Sequence, residues 1–231
     1  MKHLPNASCV VHPYGARHMI DPRKLVAGTE AVYGKEQTAE TYGTIVPIDE
    51  KRILIPGDEQ WLEVNGRQLQ TIYTEGHARH HYVLNDPRSK GVFTGDSFGV
   101  SYRELDTDNG EIVFPAATPV HFDPDEAHKS VDRIMACEPE CLFLTHYSKV
   151  GHLERLATEM HDGIDFYVAL ARQHEDDEDR STALRDGLFE YYVERLDVHG
   201  YSGDREMIEA VMGIDVELNA QGIEFWLKRE R

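Results

Sequence analysis

Apolar residues alternate with polar ones in short bursts through the first two thirds of this chain and recur every three or four residues through the last third, a change from strand to helix period. Met1-Lys2-His3-Leu4-Pro5-Asn6 reads as the last turn of a helix, stopped by Pro5 and Asn6 and leading into a strand over Ser8–His12. Residues 15–42 suggest short helices and loop, and Ile45–Ile55 an extended run broken by Pro47 and Pro56. Asn65-Gly66, between Trp61–Val64 and Arg67–Tyr73, is a hairpin signal because both residues tolerate the positive φ of a type I′ turn. Strands are expected at His81–Leu84, Gly91–Thr94 and Cys141–Leu144. Asp123-Pro124-Asp125-Glu126 opens a helix with a cap, a first-turn proline and a capping-box glutamate, and Ala127, Val131, Ile134 and Met135 form its buried face. From His152 onward, Leu153, Leu156, Met160, Ile164, Tyr167 and Ala171 mark helix, interrupted by the acidic run Glu175–Asp179 and resumed as one or two helices from Asp204 to Trp226.

Composition narrows the function more than the fold. A chain of 231 residues can bury a sizeable core, and its formal charge of −18 disfavours nucleic acid and anionic membrane, whose phosphates are held by clustered Lys and Arg. The acidity reads as a solvated surface. Cys9, Cys137 and Cys141 form no disulfide framework and read as buried thiols. No stretch is apolar enough to span a membrane and the first residues lack signal-peptide order, so a cytoplasmic location is expected. Glycine-rich nucleotide loops and a Gly-x-Ser-x-Gly elbow are absent from the sequence.

The candidate chemistry sits at strand ends. His77 follows Leu69–Gly76, Asp96 follows Gly91–Gly95, and His146 follows Cys141–Thr145, at separations of 19 and 50 residues. Carboxyl ends of neighbouring strands converge on one rim in α/β folds. Two imidazoles and a carboxylate there suit a first-row metal. The ordered set Thr74-Glu75-Gly76-His77, Thr94-Gly95-Asp96 and Leu144-Thr145-His146 resembles the metallo-β-lactamase superfamily over about residues 8–150, with Glu75 where proline is usual.

That resemblance implies an α/β fold, an αββα sandwich over residues 1–151, here followed by a helical extension over 152–231. It implies a two-metal centre, zinc by default with iron or manganese as alternatives. His77 and His146 would each help hold one ion, and Asp96 would bridge both and serve catalysis. It implies hydrolysis of an ester, thioester or lactone carbonyl in a small-molecule substrate by a metal-held hydroxide. The family's His-x-His-x-Asp-His motif does not occur in this sequence. Each ion would then keep two protein ligands, fewer than the three usual for catalytic zinc. The chain as given is therefore expected to be impaired. Either Met1 is internal to a longer protein lacking here its first strands, or the chain is a degenerate, non-catalytic relative that binds a small molecule or a partner; the mid-helix character of the opening favours the first. Apolar sheet surface left bare would favour a homo-oligomer.

Around this core, His80 or His81 is a candidate to buttress the ligands, with His81, Phe98 and Tyr102 as residues beside the metal or the substrate. The long segment Ser97–Phe122 reads equally as a substrate wall or as a cover for the sheet. Arg103 could face a substrate carboxylate or form a surface ion pair. His12, His18, His121, His128, His152, His161, His174 and His199 are expected on loops or exposed helix faces.

Overall fold

His12 ends the first strand and starts the first helix. Its Nδ1 accepts from the Tyr14 backbone N–H at 3.2 Å with Pro13 at the first helical position, and the ring is buried rather than on a loop surface. Burial lowers its pKa, so it caps as a neutral imidazole. In the computed structural model, which describes residue 1 and residues 3–117 and 120–230, the chain forms two compact units, Met1–Gln60 and Trp61–Arg231. The first holds β1 (Cys9–Val10), α1 (Pro13–Ile20), α2 (Arg23–Tyr33), α3 (Lys35–Tyr42) and β2 (Ile53–Leu54). Strands β1 and β2 pair in parallel, Cys9 opposite Ile53. Lys2, in the helical turn expected at the start, lies outside the described residues; the neighbouring turn carries a bond from Leu4 N–H to the Met1 carbonyl at 3.2 Å. Of the extended run over 45–55, only Ile53–Leu54 pairs as a strand, after a 3-10 turn at Glu50–Arg52.

The second unit is built on a six-stranded sheet in chain order: β3 (Trp61–Val64), β4 (Arg67–Tyr73), β5 (Tyr82–Asp86), β6 (Gly91–Gly95), β7 (Cys141–Leu144) and β8 (Lys149–Val150). Asn65 and Gly66 take φ of 52° and 78°, the turn that joins β3 to β4. The first four strands run antiparallel. α4 (Pro124–Met135) carries the chain back, so β7 lies parallel to β6, with Gly91 opposite Cys141. The Asp123 carboxylate accepts from Glu126 N–H at 3.3 Å, as the capping pattern requires.

Ile72, Val83, Val92 and Leu142 point to one face of the sheet, where Val131 and Ile134 of α4 and Leu156, Met160 and Ile164 of α5 (Leu153–Gln173) cover them. On the opposite face Phe93 stacks on Phe143 and stays 43% exposed. A second core joins α5, α6 (Arg180–Val198) and α7 (Arg205–Glu230) to the segment after β6 through Leu105, Phe114, Phe122, Tyr192 and Ile223. The acidic run lies between α5 and α6, and the last helix is continuous. The three cysteines are free thiols. No helix among the described residues is long and apolar enough to cross a membrane.

One charge pair locks the sheet. The buried Asp86 carboxylate receives Arg67 Nε at 3.0 Å, a second guanidinium bond and the Ser89 hydroxyl, which hold its pKa down at about 2. Its folded pKa lies below the unfolded value of about 3.9. The stabilisation is therefore complete above about pH 4 and lost as pH falls from there through about 2. Asp86→Ala should cost about 2 kcal/mol, since it strands a partly exposed guanidinium, and should flatten the acid limb of the stability curve; urea titrations between pH 2 and 7 measure both.

Candidate metal centre

Strand direction assembles the rim. β5 runs opposite to both β4 and β6, and β6 runs with β7, so β4, β6 and β7 point their carboxyl ends to the same edge of the sheet. β5 begins at that edge, with Tyr82 opposite Tyr73. His77, Asp96 and His146 leave the three carboxyl ends, and His81 immediately precedes β5. The sequence-derived trio meets in space. His77 Nε2 lies 3.7 Å from Asp96 Oδ2, and His146 Nε2 lies 3.5 Å from Asp96 Oδ1.

His81 joins them more closely than expected. Ligand atoms of His77, His81 and Asp96 lie within 4.8 Å of one another, which makes His81 a candidate ligand rather than only a buttress. The reading from strand ends missed it because it stands at a strand's start. The antiparallel register across the β4–β5 turn was the signal that could have found it.

Each side chain is aimed by the backbone around it. Gly76 takes φ +113° and passes so close to α4 that a Cβ there would lie 2.4 Å from the Ala127 nitrogen. Asp123 N–H bonds the Gly76 carbonyl at 2.8 Å and Arg133 bonds the Tyr73 carbonyl at 2.8 Å, so α4 grips the turn that carries His77. His77 Nδ1 lies 2.8 Å from the Ala116 carbonyl. A carbonyl only accepts, so Nδ1 holds the proton and Nε2 presents its lone pair toward Asp96. Burial, partly offset by the Ala116 bond and by Asp96, lowers the His77 pKa and keeps the ring neutral, the form that binds metal. Asp96 Oδ1 is buried with no hydrogen-bond partner, an orphan that a cation would satisfy. The donor set therefore fits a first-row metal ion.

The carbonyl that sets His77 is itself held from below. In α7, Asn219 accepts from Ala117 N–H at 2.6 Å and donates to the Pro115 carbonyl at 3.2 Å and the Tyr192 hydroxyl at 2.7 Å. The Tyr167 hydroxyl meets the Pro115 carbonyl at 3.0 Å and Tyr192 at 2.6 Å. This buried network fixes residues 115–117 on both sides of Ala116.

The segment from Ser97 to Phe122 is mainly a cover, with Thr118 and Pro119 outside the described residues. Phe98 is fully buried, which corrects its placement beside the substrate. The cause is the turn after Asp96, where Gly99 at φ +75° lies so close to Phe114 that a Cβ would sit 2.3 Å from its carbonyl, and Phe98 turns inward toward Val92 and Met160. Tyr102 is half-buried, and its hydroxyl donates to Asp215 Oδ2 of α7 at 2.8 Å. Burial raises the pKa of both, Asp96 adds to the rise at Tyr102, and His146 opposes it at Asp215, so the pair lies within electrostatic reach of the rim. Arg103 sits over the Tyr147 ring at 4.6 Å, a contact with an aromatic face.

Comparison with known proteins agrees with this geometry. The family model described as "Metallo-beta-lactamase superfamily" matches residues 3–146. The chain belongs to the metallo-beta-lactamase superfamily. A metallo-beta-lactamase fold-containing protein, ST1585 from Sulfurisphaera tokodaii, is 32% identical over 127 residues, a match spanning 54% of this chain and 43% of that protein. The crystal structure of ST1585 superposes with a TM-score of 0.60 at 20% identity, covering 100% of this chain and 73% of that one. TTHA1429 from Thermus thermophilus, a metallo-beta-lactamase family protein, gives 0.61 at 15% identity over 97% of this chain and 67% of that one. The fold is thus the α/β fold of a metal-dependent hydrolase family.

Asn219→Ala should cost about 2 kcal/mol, because it leaves the Ala117 N–H unsatisfied and removes one of the two donors to the Pro115 carbonyl, and should weaken zinc binding about tenfold by freeing Ala116 and with it the His77 ring. Urea unfolding and a chelator-competition titration read the two effects. Lost stability with unchanged zinc affinity would separate His77 from the network.

Proposed function

We propose that this protein is a metal-dependent hydrolase acting on the carbonyl of a small ester, thioester or lactone, with lactones and thioesters the preferred classes. The observation that supports this is the Asp96 carboxylate, placed between His77 and His146 with one oxygen toward each. Zinc is the proposed ion, and iron or manganese would suit the same His/carboxylate shell. Bound there, the metal would supply an activated water and a Lewis acid for the carbonyl oxygen. His77 presents a fixed Nε2, Asp96 offers two oxygens, and His81 adds a third side chain on the His77 side. His81 Nδ1 lies 3.3 Å from Ser97 Oγ, which steadies the ring. Tyr102, whose hydroxyl donates to Asp215, is the proposed contact to substrate.

The substrate class rests on charge and chemistry. A chain at −18 repels polyanions, and a neutral carbonyl compound meets no such barrier. Self-association through the sheet face bearing Phe93 and Phe143 is part of the same proposal. A second reading, a non-catalytic relative that binds a small molecule, is favoured by the absence of a His-x-His-x-Asp-His motif.

Elemental analysis of protein purified with zinc, together with a panel of lactones, thioesters and aryl esters, distinguishes the two. Close to two ions per chain is expected, with turnover on the panel impaired by the incomplete ligand set. Asp96→Ala, which removes a ligand common to both ions, should abolish turnover and release bound metal. Metal-free protein, or a variant that keeps both metal and turnover, would overturn the assignment.

A further inference from the structure

The last helix is apolar on two sides. Ile208, Met212, Val216, Ile223 and Leu227 of α7 are buried in the helical core. A second stripe, Met207, Val211, Ile214, Leu218, Gln221 and Phe225, runs along its outer side. Ile214 is 75% exposed, Met207 54% and Phe225 49%, and the other three are half-buried between them. A surface helix needs one apolar face and keeps the opposite one polar. α5 follows that pattern, with Glu154, Thr158, Asp162 and Asp165 exposed.

The outer stripe is spaced 4, 3, 4, 3 and 4 residues, the heptad seam of a paired helix rather than the wider band of a helix lying on a core. That spacing reads the same from either end. A second α7 laid antiparallel, with a two-fold axis at the level of Val216, sets Met207 opposite Phe225, Val211 opposite Gln221 and Ile214 opposite Leu218. Each pairing then occurs twice, as a self-complementary interface requires. Charge agrees with the direction. Glu206 is exposed at one end of the stripe, and Lys228, 58% exposed and 2.9 Å from Glu224, stands at the other. Antiparallel helices bring Glu206 beside Lys228 of the second copy at both ends, whereas parallel ones would set like charge on like. We infer that this chain forms a symmetric homodimer through the outer stripe of α7, packed antiparallel on a second copy.

Length sets the strength. From Met207 to Phe225 the stripe spans about 27 Å at a rise of about 1.5 Å per residue. A standard interface buries about 800 Å² on each partner, more than one pair of helices of that length supplies, so the dimer is of micromolar strength. Glu217 comes near its own copy at the axis. Arg185 of α6 stands 3.8 Å from it and Gln221 Nε2 donates to it at 2.6 Å, which lessens that repulsion. The charge of −18 opposes association at low ionic strength. Salt at about 0.3 M cuts the reach of that repulsion to about 6 Å. The stripe is distinct from the sheet face bearing Phe93, and the inference does not depend on the proposed hydrolase.

Sedimentation velocity of the full chain from about 1 to about 200 µM, in about 0.3 M NaCl, reads the association. A concentration-dependent dimer is expected. Phe93→Thr, which blunts the sheet face, should still dimerise, and adding Ile214→Glu to it should raise the dissociation constant about 100-fold by placing a charge in the seam of each copy. Circular dichroism should not change, because Ile214 is exposed. Glu206→Lys should weaken the dimer about fivefold, and Glu206→Lys/Lys228→Glu should restore it, as an antiparallel pair requires. A chain monomeric throughout would leave the stripe to a partner of another kind and overturn the inference. A dimer lost with Phe93→Thr, or one that survives the addition of Ile214→Glu, would overturn it as well. Failure of the charge exchange to restore the dimer would overturn the antiparallel arrangement.

Discussion

The hydrogen bond from His77 Nδ1 to the Ala116 carbonyl is the constraint on which the candidate centre depends. It fixes which nitrogen carries the proton, and so which one faces Asp96. A rotated ring would point a proton, not a lone pair, at the position an ion must take. The bond is only as firm as the segment that supplies the carbonyl, and Asn219, Tyr167 and Tyr192 hold that segment from within the helical core. A single neutral hydrogen bond adds about 1 kcal/mol. The network counts for more, because each of its buried groups would be costly if left unpaired.

The terminal helices therefore do more than cover apolar surface. α7 contributes Asn219 beneath His77 and Asp215 beside Tyr102, so a helix that starts at residue 205 reaches the rim of a sheet that ends at residue 150. Gripping of the Gly76 turn by α4 complements this from the other side. The same α4, with α5, carries the His128–His161 pair, where helix spacing rather than strand direction brings two imidazoles together.

Much of the fold was legible because its signals are local. Asn65-Gly66 could hardly form anything but a tight hairpin turn, and Asp123-Pro124 with Glu126 specified a helix start that the structure reproduces. The ordered residues His77, Asp96 and His146 were legible as a set because three strands that share a direction must end on one edge. Their approach to within 4 Å of one carboxylate agrees with that reasoning.

What the chain alone determined was the identity and order of these elements, the residue types available for metal chemistry and the charge that narrows the ligands. Tertiary structure alone decided which groups of distant origin face one another. His81 enters the candidate centre through antiparallel register, Phe98 leaves it because Gly99 turns the chain inward, and His199, expected on the surface, is buried against the Gly110 carbonyl at 2.9 Å. Local sequence sets backbone preference within a few residues, whereas contacts across 40 to more than 100 residues depend on how whole elements pack. That is why Asn219 beneath Ala117, 102 positions away, had no signature along the chain.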